Sequence, residues 1–176
     1  MIIFDLDGTL ADCSHRRHFV DKKYAMNRKD LYFQGDFPKT GLFNLNTENN
    51  WKPDWKAFYE ACGDDKPIQP VIDIFTRCVC TDKVEIWSGR CESVRDKTLL
   101  WLDRNLNVNT DEFLLKMRPI GDYTPEDEIK FHWANDTIIK EGKDIEFVFD
   151  SDVASIAMWK RRNIFVFDCA QHNEEF

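Results

Sequence analysis

The chain has 176 residues, 43% hydrophobic and 14% aromatic, which is enough for one domain with a packed core. A formal net charge of −8, from 24 basic and 32 acidic residues, argues against a protein that coats long nucleic acid through a basic face. It leaves room for a local basic pocket around one anion. The six cysteines, at 13, 62, 78, 80, 91 and 169, make no C-x-x-C pair and have no His-rich partner segment, so zinc is not indicated and small buried thiols in a reducing cytosol are expected.

The chain opens on MIIF (1–4), an apolar run that leads straight into Asp5-Leu6-Asp7-Gly8-Thr9. Similar runs recur at 84–87 (VEIW), 113–117 (FLLKM), 145–149 (IEFVF) and 164–167 (IFVF). They are nearly continuous rather than alternating, the pattern of strands covered on both faces. Helical stretches lie between them: 54–62 (DWKAFYEAC), 91–106 with Val94, Thr98, Trp101, Leu102 and Leu106 at helical spacing, 124–133 (TPEDEIKFHW), and 153–162 with Val153, Ile156 and Ala157. Lys160, Arg161 and Arg162 close the last of these favourably, and Asp150-Ser151-Asp152 supplies its cap. Trp87, Trp101, Trp133 and Trp159 fall in regular elements and are read as core. The alternation predicts an α/β fold, a doubly wound, Rossmann-like parallel sheet of about five strands in one domain over 1–176.

Residues 20–66 break the alternation and are read as an insertion or small cap after the first strand, with 20–50 as its lid-like part. LYFQG (31–35) resembles part of a protease recognition site but is read as ordinary loop. Tyr24, Tyr32, Phe33, Phe37, Phe43, Trp51 and Trp55 in this segment serve equally well as base-stacking surfaces or as the core of a cap. No run approaches the roughly 18 apolar residues of a spanning helix, and the start lacks a leader pattern, so a soluble, cytoplasmic protein without membrane partners is expected.

Polar residues wait at three strand ends: Asp5 after MIIF, Ser88 after VEIW and Asp150 after IEFVF. In an open parallel sheet, ligands bind beyond the carboxyl ends of the strands, so these residues converge on one crevice, within reach of Lys130. The chemistry suits phosphate. Asp5 and Asp150 offer hard oxygens to Mg²⁺, and Ser88 and Lys130 hold phosphate oxygens. With its charge offset by the metal, Asp5 can attack phosphorus and carry an acyl phosphate. Asp7 is placed to protonate the leaving oxygen and later to draw a proton from water. Gly8 permits the tight departure from the strand, and Thr9 bonds back to fix the loop. Plainer readings exist: Asp5, Asp7 and Asp150 as caps, Ser88-Gly89 as a turn, Lys130 as a solvated lysine. The order of all these features along the chain outweighs them.

The pattern resembles the haloacid dehalogenase superfamily of phosphohydrolases, with FDLDGTL (4–10) as its first motif, WSGR (87–90) its second, Lys130 its third and FDSD (149–152) its fourth. It is most similar to the 3′-phosphatase domain of phage-type polynucleotide kinase–phosphatases, through Ser88-Gly89-Arg90, MRPIGDYTPEDEIK (117–130) and Met158-Trp159-Lys160. The resemblance implies Asp5 as nucleophile and Asp7 as acid–base residue, with Ser88 and Lys130 on the phosphoryl oxygens. Mg²⁺ would be held by Asp5, the Asp7 backbone carbonyl and Asp150. Thr9, Arg16, Gly89 and Arg90 are the substrate-binding candidates, Arg16 and Arg90 for the phosphate end. The family usually has two adjacent acids at the fourth motif; here Ser151 separates Asp150 from Asp152, so either Ser151 or Asp152 fills the second role. Glu126 and Asp127 are both candidates to orient Lys130.

No G-x-x-x-x-G-K-[ST] occurs, so ATP use is not expected. The implied substrate is a phosphomonoester, a nucleic-acid 3′ end or a nucleotide. A nucleotidase, a small-molecule phosphatase and a phosphoacceptor signalling module are the alternatives. The cluster His15-Arg16-Arg17-His18 is either a solvated helix start or counter-charge for the phosphate end.

Overall fold

The computed structural model describes residues 1–22 and 51–170. Nearly all of the expected lid at 20–50, with Tyr24, Tyr32, Phe33, Phe37 and Phe43, therefore lies outside the described residues.

Five strands form one parallel sheet: β1 (Ile2–Phe4), β4 (Val84–Cys91), β5 (Leu114–Arg118), β6 (Phe147–Asp150) and β7 (Phe165–Asp168), in the order β5-β4-β1-β6-β7. β1 is central because it has no charge to leave exposed; Phe4 pairs with Ile86 on one side and Phe149 on the other. The two faces of β1 separate the core cleanly. Ile2 and Phe4 pack with Ile72 and Phe75 of α2 (Gln69–Val79) and with Trp101 and Leu102 of α3 (Arg95–Asn105). Met1 and Ile3 pack with Ala134 of α4 (Glu126–Asn135) and with Ile156 and Trp159 of α5 (Val153–Arg161). Each fully buried side chain of this size contributes about 1.5–3 kcal/mol, which is why continuous apolar runs select a sheet covered on both sides. Phe4, Phe149 and Phe167 stack across three neighbouring strands, with ring centroids 4.4 and 4.7 Å apart.

The doubly wound sheet expected from the sequence is thus present, and each expected strand lies within a few residues of its place. Helix α1 is shorter than 54–62, running Trp55–Glu60 with Asp54 as its cap, and continues as a 3₁₀ turn over Ala61–Asp64. Helix α2 and a small antiparallel ribbon of β2 (Ala11–Asp12) and β3 (Lys66–Pro67) were not singled out in the sequence. The ribbon is two residues per strand, too short for any periodicity to mark it. All six cysteines are free; Cys13 and Cys62 are buried as expected, but Cys80 is exposed.

The sheet order changes direction between β1 and β6, since the chain proceeds from β1 to β4 and β5 on one side and to β6 and β7 on the other. The carboxyl ends of β1 and β6 therefore border the switch point, where open α/β sheets bind ligands. No helix among the described residues is long and apolar enough to cross a membrane.

Candidate active site

Asp5 follows β1 directly, and its amide still donates to the Phe149 carbonyl at 2.8 Å, so its position is set by the strand ladder. Asp150 ends β6 beside it. Lys130 reaches both from the second turn of α4: its Nζ lies 3.0 Å from Asp5 Oδ1, 3.0 Å from Asp150 Oδ2 and 2.8 Å from Glu126 Oε1. Glu126, not Asp127, is thus the acid beside the lysine; both spacings share its helix face, and the ion pair forms across the i to i+4 step. Thr9 donates to Asp5 Oδ2 at 3.1 Å, and the Trp159 indole donates to Asp150 Oδ2 at 3.0 Å. Trp159 is a core residue, as expected, but also orients this carboxylate.

Burial raises the Asp5 carboxyl well above its ordinary value, and Lys130 only partly counters this. Burial would lower Lys130, but Asp150, Asp5 and Glu126 hold it well above the usual lysine value, so it remains an ammonium.

Asp7 belongs to a second cluster. Its Oδ1 accepts from Arg16 Nη2 at 2.6 Å and from Arg90 Nε and Nη2 at 2.9 and 2.5 Å. Both guanidiniums also bond a residue the sequence reading missed, Asp65: Arg16 at 2.7 Å through Nε and Nη2, and Arg90 Nη2 at 2.6 Å. His15 Nε2 lies 2.9 Å from Asp65 Oδ1, and the Trp101 indole donates to the Asp65 carbonyl. Burial alone would raise Asp7, but Arg90 and then Arg16 outweigh it and hold the carboxyl at about 2. Arg16 and Arg90, expected at the substrate, are fully buried and face these two aspartates. Arg16 sits in the 3₁₀ turn Ser14–Phe19, with its guanidinium 4.1 Å above the Phe58 ring. Only the acidic doublet Asp64-Asp65 ahead of the β3 strand hinted at Asp65 in the sequence.

Ser88 is fully buried, and its Oγ accepts from the Arg90 amide at 3.2 Å. A register shift between Ser88 and Cys91 takes Gly89 and Arg90 out of the β4–β5 ladder. Such bulges re-aim side chains, and here Arg90 turns to Asp7. The Gly89 carbonyl accepts from Tyr59 Oη and Arg118 Nε. A Cβ at Gly89 would stand 2.6 Å from Glu126 Oε2. Of the two fourth-motif candidates, Asp152 caps α5, accepting from the Ser155 amide at 2.8 Å. Ser151 instead donates to the Asp7 carbonyl at 3.2 Å.

Gly8 has φ +90°, and a Cβ there would lie 2.4 Å from Ser151 Oγ. Gly8→Ala is expected to lose about 1–3 kcal/mol from backbone strain alone, with Ser151 displaced as well. Urea unfolding measures this; a loss within error would show that the turn has another accessible form.

The donor set fits a hard divalent cation. The carboxylates of Asp5 and Asp150 meet at the switch point, and with Glu126 they face the single ammonium of Lys130. Among the described residues no group of three or more His, Cys, Asp or Glu side chains is gathered to hold a metal.

A doubly wound parallel sheet with two acids after β1, a serine within β4, a lysine on α4 and an acid at the end of β6 is the pattern of a phosphatase of the haloacid dehalogenase class. Residues 54–174 match the family of the polynucleotide kinase PNKP phosphatase domain, and the chain belongs to that family. The matched residues exclude β1 and its acids, which the strand ladder and the Lys130 contacts join to the rest. A chain of the Pnkp1/Rnl/Hen1 RNA repair complex shares the fold at 21% identity and a TM-score of 0.59, over 96% of this chain and 41% of that one. This chain therefore spans well under half of that relative. The haloacid dehalogenase-like protein SP0104 from Streptococcus pneumoniae aligns at 15% identity and a TM-score of 0.55, over 95% of this chain and 82% of that one. CbbY from Rhodobacter sphaeroides, solved in complex with phosphate, aligns at 12% identity and a TM-score of 0.52, over 98% and 88%. No curated protein matches the chain in sequence.

Proposed function

We propose that the chain is a Mg²⁺-dependent phosphomonoesterase that works through an aspartyl-phosphate on Asp5 and removes 3′-phosphate from polynucleotide ends. The observation that carries the reading is the buried Asp5 carboxylate, pinned between Thr9 and Lys130 at the switch point beside Asp150. The polynucleotide substrate is supported by the family description and by the likeness to a chain of an RNA repair complex, and the choice of the 3′ end by the sequence resemblance.

Asp5 and Asp150, with the Asp7 carbonyl, would hold the cation, which supplies counter-charge to the phosphate oxygens. Asp5 attacks phosphorus and the bond to the leaving oxygen breaks. Lys130 and Ser88 hold the phosphoryl group, with Glu126 fixing the ammonium. Asp7 passes a proton to the leaving oxygen and then takes one from water, which hydrolyses the acyl phosphate and restores Asp5. Held by two guanidiniums, Asp7 is a carboxylate, the form that activates water. Passing a proton in the first step requires Asp7 to part from the two guanidiniums that hold its carboxyl low.

Phosphate release should be compared for a 3′-phosphorylated oligonucleotide, its 5′-phosphorylated twin, and nucleoside 3′- and 5′-monophosphates. Release from the 3′-ends is expected; equal release from 5′-ends would overturn the end assignment. Chelation with EDTA is expected to stop turnover and to lower Tm relative to saturating Mg²⁺, since a cation at 100 times its Kd adds about 2.7 kcal/mol. Undiminished turnover in EDTA would remove the cation from the reading.

A further inference from the structure

Exposed large apolar side chains usually lie scattered over a surface. Here four of them, Trp55, Ile120, Tyr123 and Val153, line a single cleft of about 770 Å³ into which Asp7 also opens. They come from α1, from the loop between β5 and α4, and from the start of α5. That volume is far larger than a phosphoryl group needs, so most of it is left for the leaving group.

Tyr123 is 90% exposed and has no part in the core, yet the loop that presents it is braced. Gly121 turns at φ +82°, the Asp122 amide donates to the Pro119 carbonyl at 3.2 Å, and the Thr124 amide donates to Asp122 Oδ1 at 2.8 Å. The Arg118 guanidinium bonds the Thr124 carbonyl and, 2.9 Å away, that of Gly89, so the loop is tied to the second motif. Trp55, 49% exposed, lies with its ring 6.0 Å from that of Tyr59, whose hydroxyl is tied to the same Gly89 carbonyl. The Gly89 carbonyl thus ties down a neighbour of each exposed ring, Tyr59 beside Trp55 and Arg118 at the base of the loop that carries Tyr123.

The charge on the cleft walls is mixed. Arg17, Lys56 and Arg118 line it, but so do six acids, Asp7, Asp21, Glu60, Asp122, Glu126 and Asp152. A groove that follows a phosphate backbone is predominantly basic; this one is not.

We propose that the cleft is a nucleoside slot, in which the base of the nucleotide that carries the scissile phosphate packs on the exposed rings of Trp55 and Tyr123, so that one terminal nucleoside is read by stacking rather than a strand by its charge. The slot rests on the phosphomonoesterase reading above and deepens it, naming what the leaving group is recognised by. Stacking tolerates any base, so the slot implies little base preference.

The test compares kcat/KM for adenosine 3′-phosphate, a 3′-phosphorylated trinucleotide and glycerol phosphate, with wild type, Tyr123→Ala and Trp55→Ala. The preference for adenosine 3′-phosphate over glycerol phosphate is expected to fall about tenfold in at least one variant, mainly through KM. The mononucleotide and trinucleotide should agree within about threefold, with a shallow dependence on salt. A preference unchanged in both variants, or efficiency that climbs steeply with strand length and falls steeply with salt, would overturn the slot. The slot is also read without turnover, by quenching of tryptophan fluorescence as adenosine 3′-phosphate is added to Asp5→Asn. Quenching that Tyr123→Ala or Trp55→Ala weakens supports it even if no substrate is hydrolysed, whereas rapid hydrolysis of every phosphomonoester with no such quenching sinks the slot and leaves the phosphatase reading standing.

Discussion

Asp5→Asn is expected to abolish phosphate release, with a loss of at least about a thousandfold, because an amide cannot form the acyl phosphate and the rest of the site cannot substitute for a missing nucleophile. The fold should survive. Asp5 is 2% exposed, and its neighbours Thr9 and Lys130 both have reason to stay: asparagine keeps an acceptor for the threonine, and Lys130 retains Asp150 and Glu126. The substitution also removes one of three carboxylates from around one ammonium, which relieves repulsion between Asp5, Asp150 and Glu126. Tm is therefore expected to stay level or rise, the usual result when a strained catalytic group is neutralised. Thermal unfolding beside a phosphate-release assay checks both halves. Residual turnover near that of wild type would transfer the nucleophile's role elsewhere, and a collapsed Tm would mean that Asp5 is structural.

Asp65→Ala is expected to have the largest effect on stability. Asp65 is 5% exposed and bonds both Arg16 and Arg90, which are themselves fully buried. Its removal leaves two buried guanidiniums facing the single carboxylate of Asp7. Breaking a buried ion pair from one side costs about 3–5 kcal/mol, since the remaining charge has no water to replace its partner. For a chain of this length that is a fall in Tm of about 6–20 °C. Activity should fall too, because the two arginines would be free to swing and Asp7 would lose its fixed position. The cycle Asp65→Asn with Arg16→Gln separates the causes: if the pair acts as argued, the double variant is more stable than the sum of the singles predicts. Strict additivity would show that the two residues do not depend on each other.

Much of the architecture is legible in the sequence. The runs MIIF, VEIW, FLLKM, IEFVF and IFVF became the five strands because a strand with helices on both faces is apolar at nearly every position, a property that needs no knowledge of its neighbours. The short β2–β3 ribbon was not legible, since two residues per strand carry no period. It matters out of proportion to its size, because it brings Asp65 beside the turn that follows β1.

The sequence by itself determined which residues follow the apolar runs: Asp5, Ser88 and Asp150 each do, although β4 carries on past Ser88 to Cys91, and Lys130 lies one turn into a helix that begins with Glu126. These are local facts, set by period and by the end of a run. Only the tertiary structure decided the partnerships. That Arg90 turns back to Asp7 across 83 positions, and Arg16 to Asp65 across 49, depends on a bulge and on a ribbon. That Ser151 faces the Asp7 carbonyl while Asp152 is spent on the cap of α5 depends on a backbone that brings Gly8 against Ser151. Partner choice among buried charges is settled by which groups lose water together, and a linear chain does not carry that information at any single position.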